Sequence, residues 1–265
     1  MVRTVQLLWF LFLGLVLLPG CAQDDDDATS DPDDDDATSD PDDDDTTDAA
    51  ILPAVSEALQ TVNAAGRTGW VVLPERNEGE ALPYLLVFHA TGSDGRSMAS
   101  LFEEHAHARG FVIVAPDSRV SPQGDFTWEV GTDPGEITPD LLHAVACFDE
   151  VLGRGDAPLD TAAVLAAGYS GGASSAPYLA TNHPPLRSFA ILHGGLFPDA
   201  LGDNPVTGWL STGDDDPLRP PAELAGHTAT LQGLGYTVEL HTYPGGHELG
   251  ETERDELIDW WLGPE

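Results

Sequence analysis

The run Ala162-Ala163-Val164-Leu165-Ala166-Ala167, followed at once by Gly168-Tyr169-Ser170-Gly171-Gly172, constrains this chain more than any other segment. A short apolar run that breaks into G-x-S-x-G reads as a buried strand ending in a tight turn into a helix. Such a turn crowds its neighbours, so Gly168 and Gly172 stand where a Cβ has no room. The serine hydroxyl then projects from the carboxyl edge of a sheet, as a nucleophile is presented. If Ser170 is one, the rest of the chain must supply a base, an acid and donors for a developing oxyanion.

Around this segment, strand and helix signals alternate. Trp70–Leu73, Tyr84–His89, Phe111–Ala115, 162–167, Phe189–His193, Val206–Ser211 and Thr237–Thr242 read as strands. Residues 97–109, 140–152, 172–182, 221–234 and 252–262 read as helices, the first ended by Gly110, with a long turn-rich loop over Asp117–Pro139. Short apolar strands between helices predict an α/β fold, a mainly parallel sheet with helices on both faces. Sites in such sheets form at the carboxyl ends of the strands.

Two loops behind Ser170 carry the groups a serine nucleophile needs. Ser211-Thr212-Gly213-Asp214-Asp215-Asp216-Pro217 follows one strand, and Tyr243-Pro244-Gly245-Gly246-His247 follows the last. The order serine, acid, histidine fits a catalytic triad. His247 is a better base than His241, which lies inside a strand pattern. Asp214 and Asp215 also read as a solvated turn.

These motifs together resemble the α/β-hydrolase fold. More narrowly they resemble the polyhydroxybutyrate depolymerase and feruloyl/acetylxylan esterase group, over most of residues 65–262. That group pairs the G-x-S-x-G elbow with an upstream H-G-x segment, a G-x-x-D-P acid loop and a C-terminal G-x-H. The resemblance implies Ser170 as nucleophile, Asp216 as the acid and His247 as the base. It implies an oxyanion hole from the N–H groups of Gly171 and of Thr91 in His89-Ala90-Thr91, where Ala90 replaces the group's usual glycine. No metal or organic cofactor is implied.

Other candidates have plainer readings. His89 is expected to be a structural loop histidine. His193, at another strand end, is expected to be structural at the margin of the site. His105 and His107 are two apart on a helix and cannot share a metal. Cys147 lies in an apolar helical stretch and is expected to be buried. Trp128 reads equally as an aromatic wall of the site or as a cover for the core edge.

The front of the chain predicts where this domain works. Arg3 precedes a 12-residue apolar core, Leu7–Leu18, too short for a span of roughly 20 residues. Leu18-Pro19-Gly20-Cys21 follows and resembles a bacterial lipobox, so residues 1–20 are expected to be a signal peptide and Cys21 a lipidation site. Asp24-Asp25-Asp26-Asp27-Ala28-Thr29-Ser30-Asp31-Pro32 then repeats, and residues 22–48 hold 15 aspartates and no basic residue. Like-charge repulsion and the absence of apolar side chains predict that 21–50 is a disordered tether reaching about 100 Å at most. Residues 51–265 form the expected hydrolase domain. It has no lysine, and nine arginines face 31 acidic residues, so nucleic acid and anionic membrane surfaces are disfavoured partners.

The sequence thus predicts an exported serine esterase, lipid-anchored outside the cytoplasm of a bacterium. Its expected partner is an ester, small or polymeric. Two alternatives stand beside it: a non-catalytic surface lipoprotein that keeps the fold as a binding module, and a serine peptidase.

Overall fold

The computed structural model describes residues 49–59, 67–122, 124 and 126–264. The expected signal peptide, 1–20, the expected lipidation site Cys21 and the aspartate repeats lie outside the described residues.

Eight strands form the central sheet: β1 (Val55–Leu59), β2 (Gly69–Leu73), β3 (Leu82–Phe88), β4 (Val112–Pro116), β5 (Leu159–Tyr169), β6 (Ser188–Leu192), β7 (Thr207–Gly213) and β8 (Thr237–Tyr243). Their spatial order is β1-β2-β4-β3-β5-β6-β7-β8. From β4 to β8 every pairing is parallel. Only β2 pairs antiparallel, with β1 and with β4. The mainly parallel sheet matches the expectation. The antiparallel β1 was not expected, because Val-Ser-Glu-Ala-Leu sits half exposed at the sheet edge and lacks an apolar run.

Alternate residues of each strand feed two cores. Tyr84, Leu86 and Phe88 of β3 face one side with Val164 and Ala166 of β5. Leu85, Val87, Leu165 and Ala167 face the other. The first face is covered by α3 (Pro139–Gly153), α4 (Ser175–Asn182) and α5 (Pro221–Gly233). The second is covered by α1 (Gly95–Ser100), α2 (Glu103–Arg109) and α6 (Glu251–Leu262). Burial on both faces is why these strands read as continuous apolar runs; each large side chain removed from water contributes about 1.5–3 kcal/mol. Pro83 cannot donate to the ladder, and the β3–β5 register slips between Leu82 and Tyr84.

The helix expected over 97–109 is two helices. Asp94 caps α1 by accepting from Ser97 N at 2.7 Å. The chain then turns at Leu101–Phe102 to bury Phe102 in the second core, and α2 ends on Gly110 at φ 68°. The helix expected over 172–182 begins as a 3-10 turn, Ser170–Gly172, and becomes α4 at Ser175. The loop over 117–139 contains a two-residue ladder, Arg119–Val120 with Phe126–Thr127. Cys147 is buried as expected, with its sulfur against the His143 ring.

Topology now places the site. The chain passes from β3 outward to β4, then crosses back to β5 on the opposite side of β3. The loops leaving β3 and β5 therefore diverge and open a crevice at the carboxyl edge. Phe88 aligns with Gly168, Leu192 with Tyr169 and Ser211, and Gly213 with Tyr243. The loops after β3, β5, β6, β7 and β8 thus share one edge.

Candidate active site

Ser170 follows β5 with φ 51°, one of two non-glycine residues at positive φ among the described residues. Such a backbone costs an L-residue about 1–3 kcal/mol and persists where the surroundings impose it. The surroundings here are tight. A Cβ on Gly168 would overlap the Gly172 carbonyl, and a Cβ on Gly172 would overlap the carbonyls of Phe88 and His89. The elbow is thus clamped between its own return and the end of β3, and the serine is left half-buried at its apex.

His247 reaches this hydroxyl from the loop after β8. Its Nε2 lies 2.8 Å from Ser170 Oγ and its Nδ1 lies 2.8 Å from Asp216 Oδ2. A carboxylate only accepts, so Nδ1 carries the proton and Nε2 presents its lone pair to the serine hydroxyl. The loop after β7 settles which aspartate points inward. Asp214 and Asp215 are exposed, whereas Asp216 is buried. Asp216 Oδ1 accepts the N–H groups of Leu218 and Arg219 at 2.8 and 2.9 Å. Burial pushes its pKa up, but the donors from His193, Arg219, His247 and Leu218 outweigh that and hold the carboxyl well below the usual range. Asp214 has a different task. It accepts from Gly245 N at 2.9 Å and so ties the acid loop to the histidine loop.

Tyr169, the x of the motif, supports His247. Its ring stacks on His247 with centroids 5.6 Å apart, and its hydroxyl donates to the His247 carbonyl at 2.6 Å. Burial, then the carboxylates of Glu253, Asp216 and Glu248, push its pKa up to about 12, so it stays a neutral donor.

Thr91 packs directly on Gly171. A Cβ at residue 171 would run into Thr91 Oγ1 and lie 3.0 Å from Thr91 N. Gly171 lies within the 3-10 turn that Ser170 opens, where helix geometry leaves donors unpaired. The backbones of Thr91 and Gly171 therefore lie side by side next to Ser170. Ala90 keeps an ordinary negative φ, so the alanine costs this loop nothing in backbone strain. His89 fixes the loop from below, as expected of a structural histidine. Its Nδ1 donates to Ala90 O at 2.8 Å and its Nε2 accepts from Ser118 N at 3.0 Å. Burial depresses its pKa, which keeps the ring neutral.

A cleft of about 570 Å³ opens onto Ser170 and Gly171, walled by Trp128, Val130, Phe197 and Pro198 and bordered by Arg219. Both readings of Trp128 hold at once. Its ring packs edge-on against Phe88 at 5.0 Å and its Nε1 donates to His89 O at 2.8 Å, while its outer face lines the cleft. Loops 117–139 and 196–206 shape this cleft, and loop 92–97 does not line it.

His193 stands closer to the chemistry than its sequence suggested. Its Nδ1 lies 2.8 Å from the same Asp216 Oδ2 that serves His247, and its Nε2 lies 3.2 Å from Glu253 Oε2. The ligand atoms of His193, Asp216 and His247 fall within 4.8 Å of one another, close enough to share a cation. The 2.8 Å contacts already commit them to one another as donors and acceptor. Glu253 was not singled out by sequence; the signal available was a glutamate at the third position of a helix that begins just after His247.

No protein-family model matches the sequence, and no curated relative does. Solved structures do. The S-formylglutathione hydrolase FrmB of Staphylococcus aureus superposes with a TM-score of 0.64 at 12% identity, covering 80% of this chain and 100% of that one. A carboxylesterase from Mesorhizobium loti gives 0.59 at 21% identity, over 79% and 99%. The acylaminoacyl peptidase of Pyrococcus horikoshii gives 0.59 at 14% identity, covering 80% of this chain but 42% of that one. With this strand order and elbow, the chain has the α/β-hydrolase fold.

Proposed function

We propose that the protein is a serine esterase. The observation that carries this reading is the unbroken run Ser170 Oγ, His247 Nε2, His247 Nδ1, Asp216 Oδ2, with both hydrogen bonds at 2.8 Å. Ser170 Oγ attacks the ester carbonyl as its proton passes to His247 Nε2. The N–H groups of Thr91 and Gly171 stabilise the tetrahedral oxyanion. His247 then protonates the departing alcohol, leaving an acyl group on Ser170. Water then attacks the acyl carbon as its proton passes to His247, and the acid departs as His247 returns that proton to Ser170 Oγ.

The substrate we propose is a feruloyl or acetyl ester of a polysaccharide, or a short polyhydroxyalkanoate. The motif resemblance supports this, as does a cleft walled by Trp128 and Phe197, which suits an aryl or alkyl acyl group. We place the enzyme outside the cytoplasm, held to a membrane by lipid on Cys21 and extended on the aspartate-rich tether. The order of the apolar core, Cys21 and the repeats supports that placement. A peptidase reading is kept by one observation, the shared fold with an acylaminoacyl peptidase.

Turnover of acetylxylan, methyl ferulate, p-nitrophenyl acetate and polyhydroxybutyrate, set against peptide p-nitroanilides, tests the reading. Hydrolysis of esters that disappears in Ser170→Ala supports it. Cleavage of the anilides alone, or ester hydrolysis that survives Ser170→Ala, refutes it. Incorporation of an alkyne fatty acid that is lost in Cys21→Ser tests the anchor.

A further inference from the structure

His193 and Glu253 are costly to keep where they are. The side chains of His193, Asp216 and Glu253 are almost wholly removed from solvent, at 0%, 0% and 1% exposure. His193 also holds φ 49°, the second positive-φ side chain of the described chain, with its N–H bound to Ser211 O at 2.9 Å. A buried ionic cluster seldom adds net stability over apolar packing, so its geometry calls for another explanation.

The hydrogen-bond roles supply one. Both ring nitrogens of His193 face carboxylate oxygens, Asp216 Oδ2 at 2.8 Å and Glu253 Oε2 at 3.2 Å. An ionised carboxylate only accepts, so with both carboxylates ionised the ring carries both protons as an imidazolium. Glu253 lies in the first turn of α6, where the helix dipole favours negative charge. The titratable groups around His193 come from four elements: Asp216 after β7, Glu253 of α6, Tyr169 of β5 and His247 after β8. Tyr169 is neutral. Ser170, His247, Asp216, His193 and Glu253 thus form one hydrogen-bonded line.

We propose that His193 and Glu253 are positioning residues, a second buried imidazole–carboxylate arm that pins Asp216 against His247. This rests on the esterase reading of the site and adds to it. Asp216 Oδ2 is shared by two imidazole N–H groups, so it cannot swing away from His247 without breaking the bond to His193. Burial alone would lower the His193 pKa. The hydrogen bond and charge of Glu253, then those of Asp216, outweigh burial and raise it. The His193 ring also meets the His247 ring edge-on, with centroids 5.5 Å apart, so the arm buttresses His247 directly as well as through Asp216.

The substitutions that isolate this effect are His193→Ala and His193→Asn. Asparagine accepts positive φ, and its amide can still donate to Asp216; alanine cannot donate. The assay is the rate at which a fluorophosphonate labels Ser170 at neutral pH in the full chain, with Tm measured on the same samples. His193→Ala should label about tenfold more slowly, the loss of one charge-assisted hydrogen bond to Asp216, and His193→Asn should recover most of that rate. Equal rates in wild type and His193→Ala, or no recovery in His193→Asn at matched Tm, overturn the arm and leave the esterase reading intact. Wild-type protein that fails to label overturns the esterase reading instead. A second measurement needs no fluorophosphonate and no variant. In wild type with 15N-labelled histidine, one histidine should still carry both ring N–H protons at neutral pH. If every histidine has lost a ring proton at neutral pH, the arm is refuted.

Discussion

Replacing Asp216 by asparagine asks the site a sharp question. The side chain keeps its shape, and its oxygen can still accept the Leu218 and Arg219 N–H groups at 2.8 and 2.9 Å. Its amide nitrogen then falls where Oδ2 was, facing two imidazole Nδ1 atoms that each lay 2.8 Å away. Donor now meets donor. His247 relieves the conflict by moving its proton to Nε2, which leaves Ser170 Oγ without a base. Removing the carboxylate charge from a catalytic triad in this way costs about 10⁴-fold in kcat/KM, equivalent to about 5 kcal/mol of transition-state stabilisation. Two charge-assisted hydrogen bonds are also lost from the folded state, so stability should fall by about 3 kcal/mol. For a domain of this size that is a Tm drop of about 6–12 °C. The assay is p-nitrophenyl ester hydrolysis at 25 °C, with Tm measured on the same samples. Retention of more than a tenth of the activity would refute the reasoning, as would an equal loss in the exposed neighbour variant Asp215→Asn.

Three further outcomes follow from the geometry. The depressed Asp216 pKa adds stability that is fully present above the unfolded value of about 4 and is lost as pH falls below it. Denaturant titrations between about pH 5 and 2 should therefore fall less steeply in Asp216→Asn than in wild type, and parallel curves would contradict this. Gly171→Ala drives a methyl group into Thr91 and displaces that loop. Because Gly171 is exposed, kcat should drop about 10²–10³-fold while Tm changes little; a matching collapse of Tm would point to folding rather than the oxyanion hole. Trp128→Ala removes the bond to His89 O and the edge contact with Phe88, so unfolding should cost about 2–3 kcal/mol less, with KM for aryl esters raised. An unchanged KM would remove Trp128 from the acyl wall.

Sequence pattern named the three residues that the structure brings together, Ser170, His247 and Asp216, because each carries a local signature. Ser170 is framed by glycines that the fold crowds, and the acid and histidine loops each follow an apolar strand. Even the choice of Asp216 over Asp214 and Asp215 was motif-borne, and burial of Asp216 alone agrees with it. What pattern missed is non-local. His193 and Glu253 are 60 residues apart, and only the β6-to-α6 packing makes them partners. Leu-His-Gly-Gly at a strand end looks like a turn, and nothing local says that its histidine is fully buried against Asp216. Tyr169 was hidden in the x of G-x-S-x-G, where any residue satisfies the motif. The break between α1 and α2 was lost for a similar reason: Phe102 continues the apolar period of one helix, but the core it fills requires the chain to turn.

The most direct measurement is the site of fluorophosphonate attachment. Wild-type protein is labelled at neutral pH, digested and mapped by mass spectrometry. The adduct should lie on the peptide bearing Ser170, and labelling should vanish in Ser170→Ala and fall by orders of magnitude in His247→Ala. An adduct on another serine, or equal labelling of the Ser170→Ala protein, would contradict the assignment of Ser170 as the nucleophile.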